Sequence, residues 1–169
     1  MAGGDVASVT DCRGVAIALD GEPQRIVSLV PSDSYTLAAL GAVARMVGRT
    51  QYCVDPAALD AVEMVGGTKN ADVARIVALA PDLVVANLEE NRQIDIERLE
   101  RAGVAVYVSF PKTVAEGLNH ARCLAELMPS LDNHARLAEA DALLARLSRA
   151  GARPVATFVP IWMDPLMTA

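Results

Sequence analysis

Short apolar runs recur along most of this chain, and each runs into a loop of small and polar residues. Arg25-Ile-Val-Ser-Leu-Val-Pro-Ser32 is followed by Val47-Gly48-Arg49-Thr50 and Val65-Gly66-Gly67-Thr68. Ile76-Val-Ala-Leu-Ala-Pro-Asp-Leu-Val-Val-Ala86 and Gly103-Val-Ala-Val-Tyr-Val-Ser109 come next. Helical segments separate the runs. Strands that alternate with helices point to an α/β fold with a Rossmann-like parallel sheet. In an open parallel sheet the loops at the strand C-termini are where a ligand binds.

The local signals divide the chain. Val6–Thr10 and Val15–Leu19 flank the turn cluster Asp11-Cys-Arg-Gly14 and read as a hairpin. Ile26–Val30 reads as a strand buried on both faces. Ser32 or Asp33 can cap a helix through Leu40, which Gly41 ends. Arg45–Arg49 reads as a second strand, and Asp55-Pro56 opens a turn or short helix. The segment from Val65 to Asp72 reads as a loop, with Asn70 or Asp72 capping a helix to Ala80. Leu83–Ala86 and Val104–Phe110 are strands around an amphipathic helix, Asn91–Ala102.

Thr113-Val-Ala-Glu116 is a capping box that starts a helix to about Met128. The longest helix is expected from Asn133 to Ala150, with Leu137, Ala140, Leu144 and Leu147 as its apolar stripe. At ~1.5 Å per residue it could reach roughly 27 Å, enough to cross a domain edge. Val155–Val159 reads as a last strand. The expected divisions are a hairpin extension over 1–24, an α/β ligand-binding lobe over 25–130, a backbone helix over 131–151 and the start of a truncated second lobe over 152–169. An apolar stub of that kind predicts self-association.

The net charge of −6 comes without a basic stripe, which argues against a nucleic-acid partner. Hydrophobic residues make up 53% of the chain and aromatics only 4%, so the core must be built from Ala, Val and Leu. Cys12, Cys53 and Cys123 are odd in number and form no C-x-x-C, which indicates neither a disulfide framework nor a zinc ribbon. No apolar run is long enough to span a membrane. Met1–Asp11 lacks a basic region followed by an apolar one, so either the chain stays in the cytoplasm or a signal was removed before Met1. Neither G-x-G-x-x-G after the first strand, nor G-x-x-x-x-G-K-[ST], nor G-x-S-x-G occurs, so no enzyme activity is expected.

The strand-end loops supply the candidate ligand contacts Ser32, Tyr52, Cys53, Thr68, Lys69, Asn87, Glu89, Glu90, Asn91 and Phe110. Asn87-Leu-Glu-Glu-Asn91 is the sharpest polar feature. It could bond a polar ligand rim or a hard cation, or simply cap the next helix. A Cys53 thiolate could ligate a soft metal, although a half-buried thiol is the plainer reading. Lys69 could pair with an anionic ligand group. His120 and His134 lie on separate helices without a carboxylate at ligand spacing, so no metal site is assigned to them.

The ordered set of strand, Pro-Ser, helix, Val-Gly, Gly-Gly-Thr, helix and Pro-Asp-Leu-Val, then a long helix, resembles the cobalamin and iron-siderophore substrate-binding proteins of ABC importers. The resemblance covers roughly Arg25–Ala150. It implies two α/β lobes joined by a backbone helix, with a metal chelate, such as a corrinoid, haem or an iron-siderophore, bound between them. No cofactor beyond that ligand is implied. Tyr52 matches a corrin-stacking tyrosine of the family. Thr68 and Asn87 stand where the cobalamin binder carries Trp. Trp162, in the loop Pro160–Pro165, would face the cleft from the second lobe. The importer-docking glutamate falls at Ala74, with Asp72 as a nearby substitute. Location is extracytoplasmic by resemblance. A cytoplasmic sensor of the same fold, without a permease partner, is the alternative.

Overall fold

A computed structural model describes residues 7–149 and the segments 160–163 and 166–168. Its centre is a four-stranded parallel sheet in the order β4-β3-β7-β8, formed by β3 (Ile26–Ser28), β4 (Met46–Arg49), β7 (Leu83–Asn87) and β8 (Val106–Ser109). Ile26 pairs with Leu83, and Val84 pairs with Val106. Near-continuous apolar runs form these strands because both faces are covered.

Successive side chains alternate between the two faces. Ile26, Leu83, Val85 and Tyr107 pack with Leu37 and Leu40 of α1 (Pro31–Ala39) and its C-terminus, and with Leu124, Leu127 and Met128 of α4 (Val114–Glu126) and its C-terminus. Val27, Val84, Ala86, Val106 and Val108 face the other way. They pack with Ile76 of α2 (Val73–Ala78) and with Ile96 and Leu99 of α3 (Gln93–Arg101). A fully buried Leu or Ile of this kind contributes ~1.5–3 kcal/mol.

Both sheet edges are covered, which blocks pairing with another chain. Along β8, the hairpin β1 (Ala7–Thr10) and β2 (Ala16–Leu19) docks through Cys12 N–H to Val108 O at 3.0 Å and Arg13 to Val106 O at 3.2 Å. Along β4, the Glu63–Val65 segment bonds to both sides of the Arg49 peptide.

Within the described residues, the elements expected from the sequence are present, with four differences. Ser32 and Asp33 do not cap α1: Val30 is the N-cap without a side-chain bond, Pro31 is at the first helical position, and Asp33 is buried. The stretch from Val65 to Asp72 is not a plain loop. It holds a small hairpin, β5 (Gly66–Gly67) with β6 (Asn70–Ala71), before Asp72 caps α2 by accepting from Arg75 N at 3.0 Å. Gly66 makes the hairpin possible, because its φ is +98° and a Cβ there would lie 2.6 Å from Asn70 O. Third, the expected loop after Pro160 is extended backbone, β9 (Pro160–Met163) paired with β10 (Leu166–Thr168). Fourth, on α5 (His134–Arg149), Leu137, Ala140 and Leu144 are half-buried, but Leu147 of the expected stripe is 59% exposed. The strand expected at Val155–Val159 lies outside the described residues.

The Thr113–Glu116 capping box forms as expected, with both reciprocal bonds. No helix among the described residues is long and apolar enough to cross a membrane.

Candidate ligand-binding site

Parallel pairing places the C-termini of β3, β4, β7 and β8 at one end of the sheet, so the loops that follow them share one face. Asn91 ties these loops together. Its side-chain amide donates to Leu29 O at 3.1 Å and to Thr68 O at 3.0 Å, and its Oδ1 accepts from Asn87 N at 2.8 Å. One buried side chain thus joins the end of β3, the β5–β6 hairpin and the end of β7. Lys69 adds a second tie by donating from Nζ to Glu89 O.

Tyr52 stands on the loop after β4, 56% exposed. Its ring lies close to Gly67: a Cβ on Gly67 would meet Tyr52 Cε2 at 3.2 Å and Asn70 Oδ1 at 2.4 Å. Glycine is therefore what lets the hairpin backbone approach the ring. Val54 at 66% and Leu88 at 47% add exposed apolar surface on loops at the same strand ends, and Tyr35, one turn into α1, is 54% exposed. An aromatic ring with a polar tip suits a ligand that is flat and apolar with a polar rim. Local pattern does not mark Tyr35, Val54 or Leu88 as surface residues, because exposure is set by tertiary packing.

The polar candidates separate into two groups. Glu89 and Glu90 are exposed; their backbone N–H groups donate to Asn87 Oδ1 at 2.9 and 3.2 Å, so their side chains extend from a formed turn. Ser32 and Lys69 are exposed, and Thr68 and Phe110 are half-buried, the latter with the Lys112 ammonium 4.5 Å above its ring. Asn87 is half-buried at the end of β7.

Cys53 and Asn91 lie beneath the face rather than on it. Cys53 is 1% exposed, with Sγ 3.0 Å from Ser34 Oγ and 3.1 Å from Thr50 Oγ1. The thiol is more deeply buried than the half-buried reading expected, and it fills the core beneath α1. The Trp162 backbone belongs to β9, and its side chain lies outside the described residues. Asp72 is exposed but engaged as the α2 cap, and Ala74 is exposed beside it.

A group of buried polar side chains also lies beneath the face. His120 Nε2 lies 2.9 Å from Asp33 Oδ1, and Tyr107 OH lies 3.2 Å from His120 Nδ1. The carboxylate partner that the spacing around His120 did not offer comes from 87 residues away. Burial, and then the neighbouring Cys123, push the Tyr107 hydroxyl well above its ordinary range, so it stays a phenol. Among the described residues, no group of three or more His, Cys, Asp or Glu side chains could hold a metal ion.

A family model described as a periplasmic binding protein matches residues 26–153. A cobalamin-binding protein of Halobacterium salinarum is 34% identical over 110 residues, 64% of this chain and 30% of that protein. The crystal structure of the periplasmic vitamin B12 binding protein BtuF of Vibrio cholerae shares the fold, with a TM-score of 0.76 at 24% identity over 86% of this chain and 58% of that one. The heme binding protein HmuT gives a TM-score of 0.66 at 28% identity, over 86% of this chain and 46% of that one. The chain thus spans less than two thirds of the length of each of these relatives. A four-stranded parallel sheet, its strand-end face and a match over most of the sequence lead to one assignment: the chain belongs to the periplasmic binding protein family.

Proposed function

We propose that this chain supplies one wall of a non-catalytic substrate-binding protein for a metal chelate, a corrinoid such as cobalamin or an iron chelate such as haem or a ferric siderophore. The observation that carries this reading is Tyr52, an exposed ring against Gly67 at the C-terminal end of the parallel sheet. The relatives are named for cobalamin, vitamin B12 and heme, chelates built on a broad macrocyclic ring, and a stacking side chain suits that shape. Lys69, Glu89 and Glu90 would meet polar groups on the ligand rim, with Ser32, Thr68, Asn87 and Phe110 around them.

Delivery to an ABC importer outside the cytoplasm follows from the same reading, with exposed Asp72 as the docking carboxylate. A second reading, a cytoplasmic sensor without a permease, is favoured by Ala74, which places a methyl group where the resemblance puts that carboxylate.

The test is titration of the purified protein with cyanocobalamin, dicyanocobinamide, haemin and a ferric siderophore, read by absorbance and by thermal unfolding. Saturable binding with a rise in Tm is expected for one of them. Tyr52→Ala should then weaken that binding about tenfold, which corresponds to ~1.4 kcal/mol. No saturable binding to any of the four sinks the chelate reading.

A further inference from the structure

A directed chain of hydrogen bonds runs from the buried pair beneath the face to its most polar turn. The Asp33 carboxylate can only accept, so both groups that contact it must donate. His120 Nε2 donates to Oδ1 at 2.9 Å, and Ser109 Oγ donates to Oδ2 at 3.3 Å. Having given its only hydrogen to Asp33, Ser109 Oγ accepts from Asn87 Nδ2 at 3.3 Å. The Asn87 amide is then left with its oxygen pointing outward, toward the N–H groups of Glu89 and Glu90. Those two backbone groups are donors and demand an oxygen at that place, so both ends of the chain require the same orientation of the amide.

We propose that Asp33 is a positioning residue for the ligand-binding face, acting through Ser109 to hold the Asn87 amide in the orientation that fixes the Glu89–Glu90 turn. The ligand-binding role of that turn rests on the reading given above; the hydrogen-bond relation does not. Asp33 suits this task because it is buried in the first turn of α1, where the helix dipole favours a negative charge, and because His120 occupies its other oxygen. His120 in turn is oriented by the Tyr107 hydroxyl and by stacking on the Tyr107 ring, with centroids 5.5 Å apart. Asn87 is therefore oriented by a carboxylate buried beneath the face.

Replacing Asp33 by Asn puts a donor where the acceptor was. Ser109 can then accept from the introduced amide and donate to Asn87, which favours the flipped Asn87 amide and leaves the two N–H groups without their oxygen. The experiment is amide hydrogen exchange by NMR on the whole chain, comparing wild type with Asp33→Asn, Ser109→Ala and Ser109→Thr. Exchange at Glu89 and Glu90 should rise about three- to tenfold in Asp33→Asn and Ser109→Ala, the scale of one ordinary hydrogen bond. Val84 and Val85 in the sheet centre should stay within about twofold once global stability is matched with urea. Ser109→Thr keeps the hydroxyl and should restore protection at the turn.

Unchanged exchange at Glu89 and Glu90 in Ser109→Ala overturns the proposal. So does a rise there that merely parallels the rise in the sheet. Should Asp33→Asn fail to fold, the Ser109→Ala and Ser109→Thr pair still decides. Parallel titrations with the same four chelates separate the two readings: if wild type binds none of them, the chelate assignment fails while the exchange data still judge the chain from Asp33 to the turn.

Discussion

The two sides of the parallel sheet are filled by different chemistry. On the side of α2 and α3, the core cluster holds only aliphatic side chains, Val27, Leu29, Val65, Ile76, Val84, Ala86, Ile96, Leu99, Val106 and Val108, and the one buried polar residue of these two helices is Asp95. On the side of α1 and α4, apolar residues surround a set of buried polar groups: Ser28, Asp33, Ser34, His120 and the Tyr107 hydroxyl. Every buried side-chain nitrogen and oxygen among the described residues has a partner, so the second side costs no unsatisfied group. An aliphatic side can lose methylenes gradually. A bonded polar side fails when one partner is removed.

The largest expected effect breaks the polar side. Asp33→Ala leaves His120 and Ser109 without their acceptor and should destabilise by ~3–5 kcal/mol in urea unfolding. Replacing Asp33 and His120 together by Leu should recover most of that loss, because no polar group of the pair is then left alone. If the double variant is no better than Asp33→Ala, the cost is one of shape rather than of polarity, and the contrast between the two sides collapses. On the aliphatic side, Leu99→Ala should cost ~2–4 kcal/mol by leaving a cavity between α3 and the sheet, measured the same way.

Smaller effects fall outside both clusters. Thr113→Ala removes the capping box of α4 and should cost ~1 kcal/mol, with a Tm a few degrees lower. The smallest is a pH effect at Glu22. Burial works to raise its pKa, but bonds from the Ser130 hydroxyl and backbone N–H, and then the Arg45 guanidinium, outweigh it and hold the carboxyl below its usual range. A carboxyl lowered on folding contributes stability that is complete above its unfolded value and is lost as pH falls through the folded one. Urea midpoints of wild type should therefore drop on acidification below about pH 4.3, and Glu22→Gln should flatten that drop slightly.

The same contrast explains what the sequence made legible. Alternating strands and helices, the Thr113 cap and the aliphatic side all follow from local pattern, because period and propensity act over a few residues. The strand-end loops were placed correctly, since the loop after each parallel strand must emerge at one end. The polar side was not legible. Asp33 looked like a helix cap and His120 a helical residue without a partner, and only the fold brings them to 2.9 Å. Asn91 looked like a ligand contact because amides are good ligand groups, yet three backbone groups already use its side chain. The β5–β6 hairpin was missed because two-residue strands carry no periodicity.

Asn91 also bears on how this face could be given a new specificity. Since one amide sets the spacing of three segments from below, the tips above it at Ser32, Thr68 and Glu89 are free to be exchanged without resetting the framework. A library randomised at those tips, with Asn91 kept, would sample new chemistry on an unchanged geometry. One that also varied Asn91 would release the loops from one another, and most of its members would be lost to misplacement before recognition could be selected.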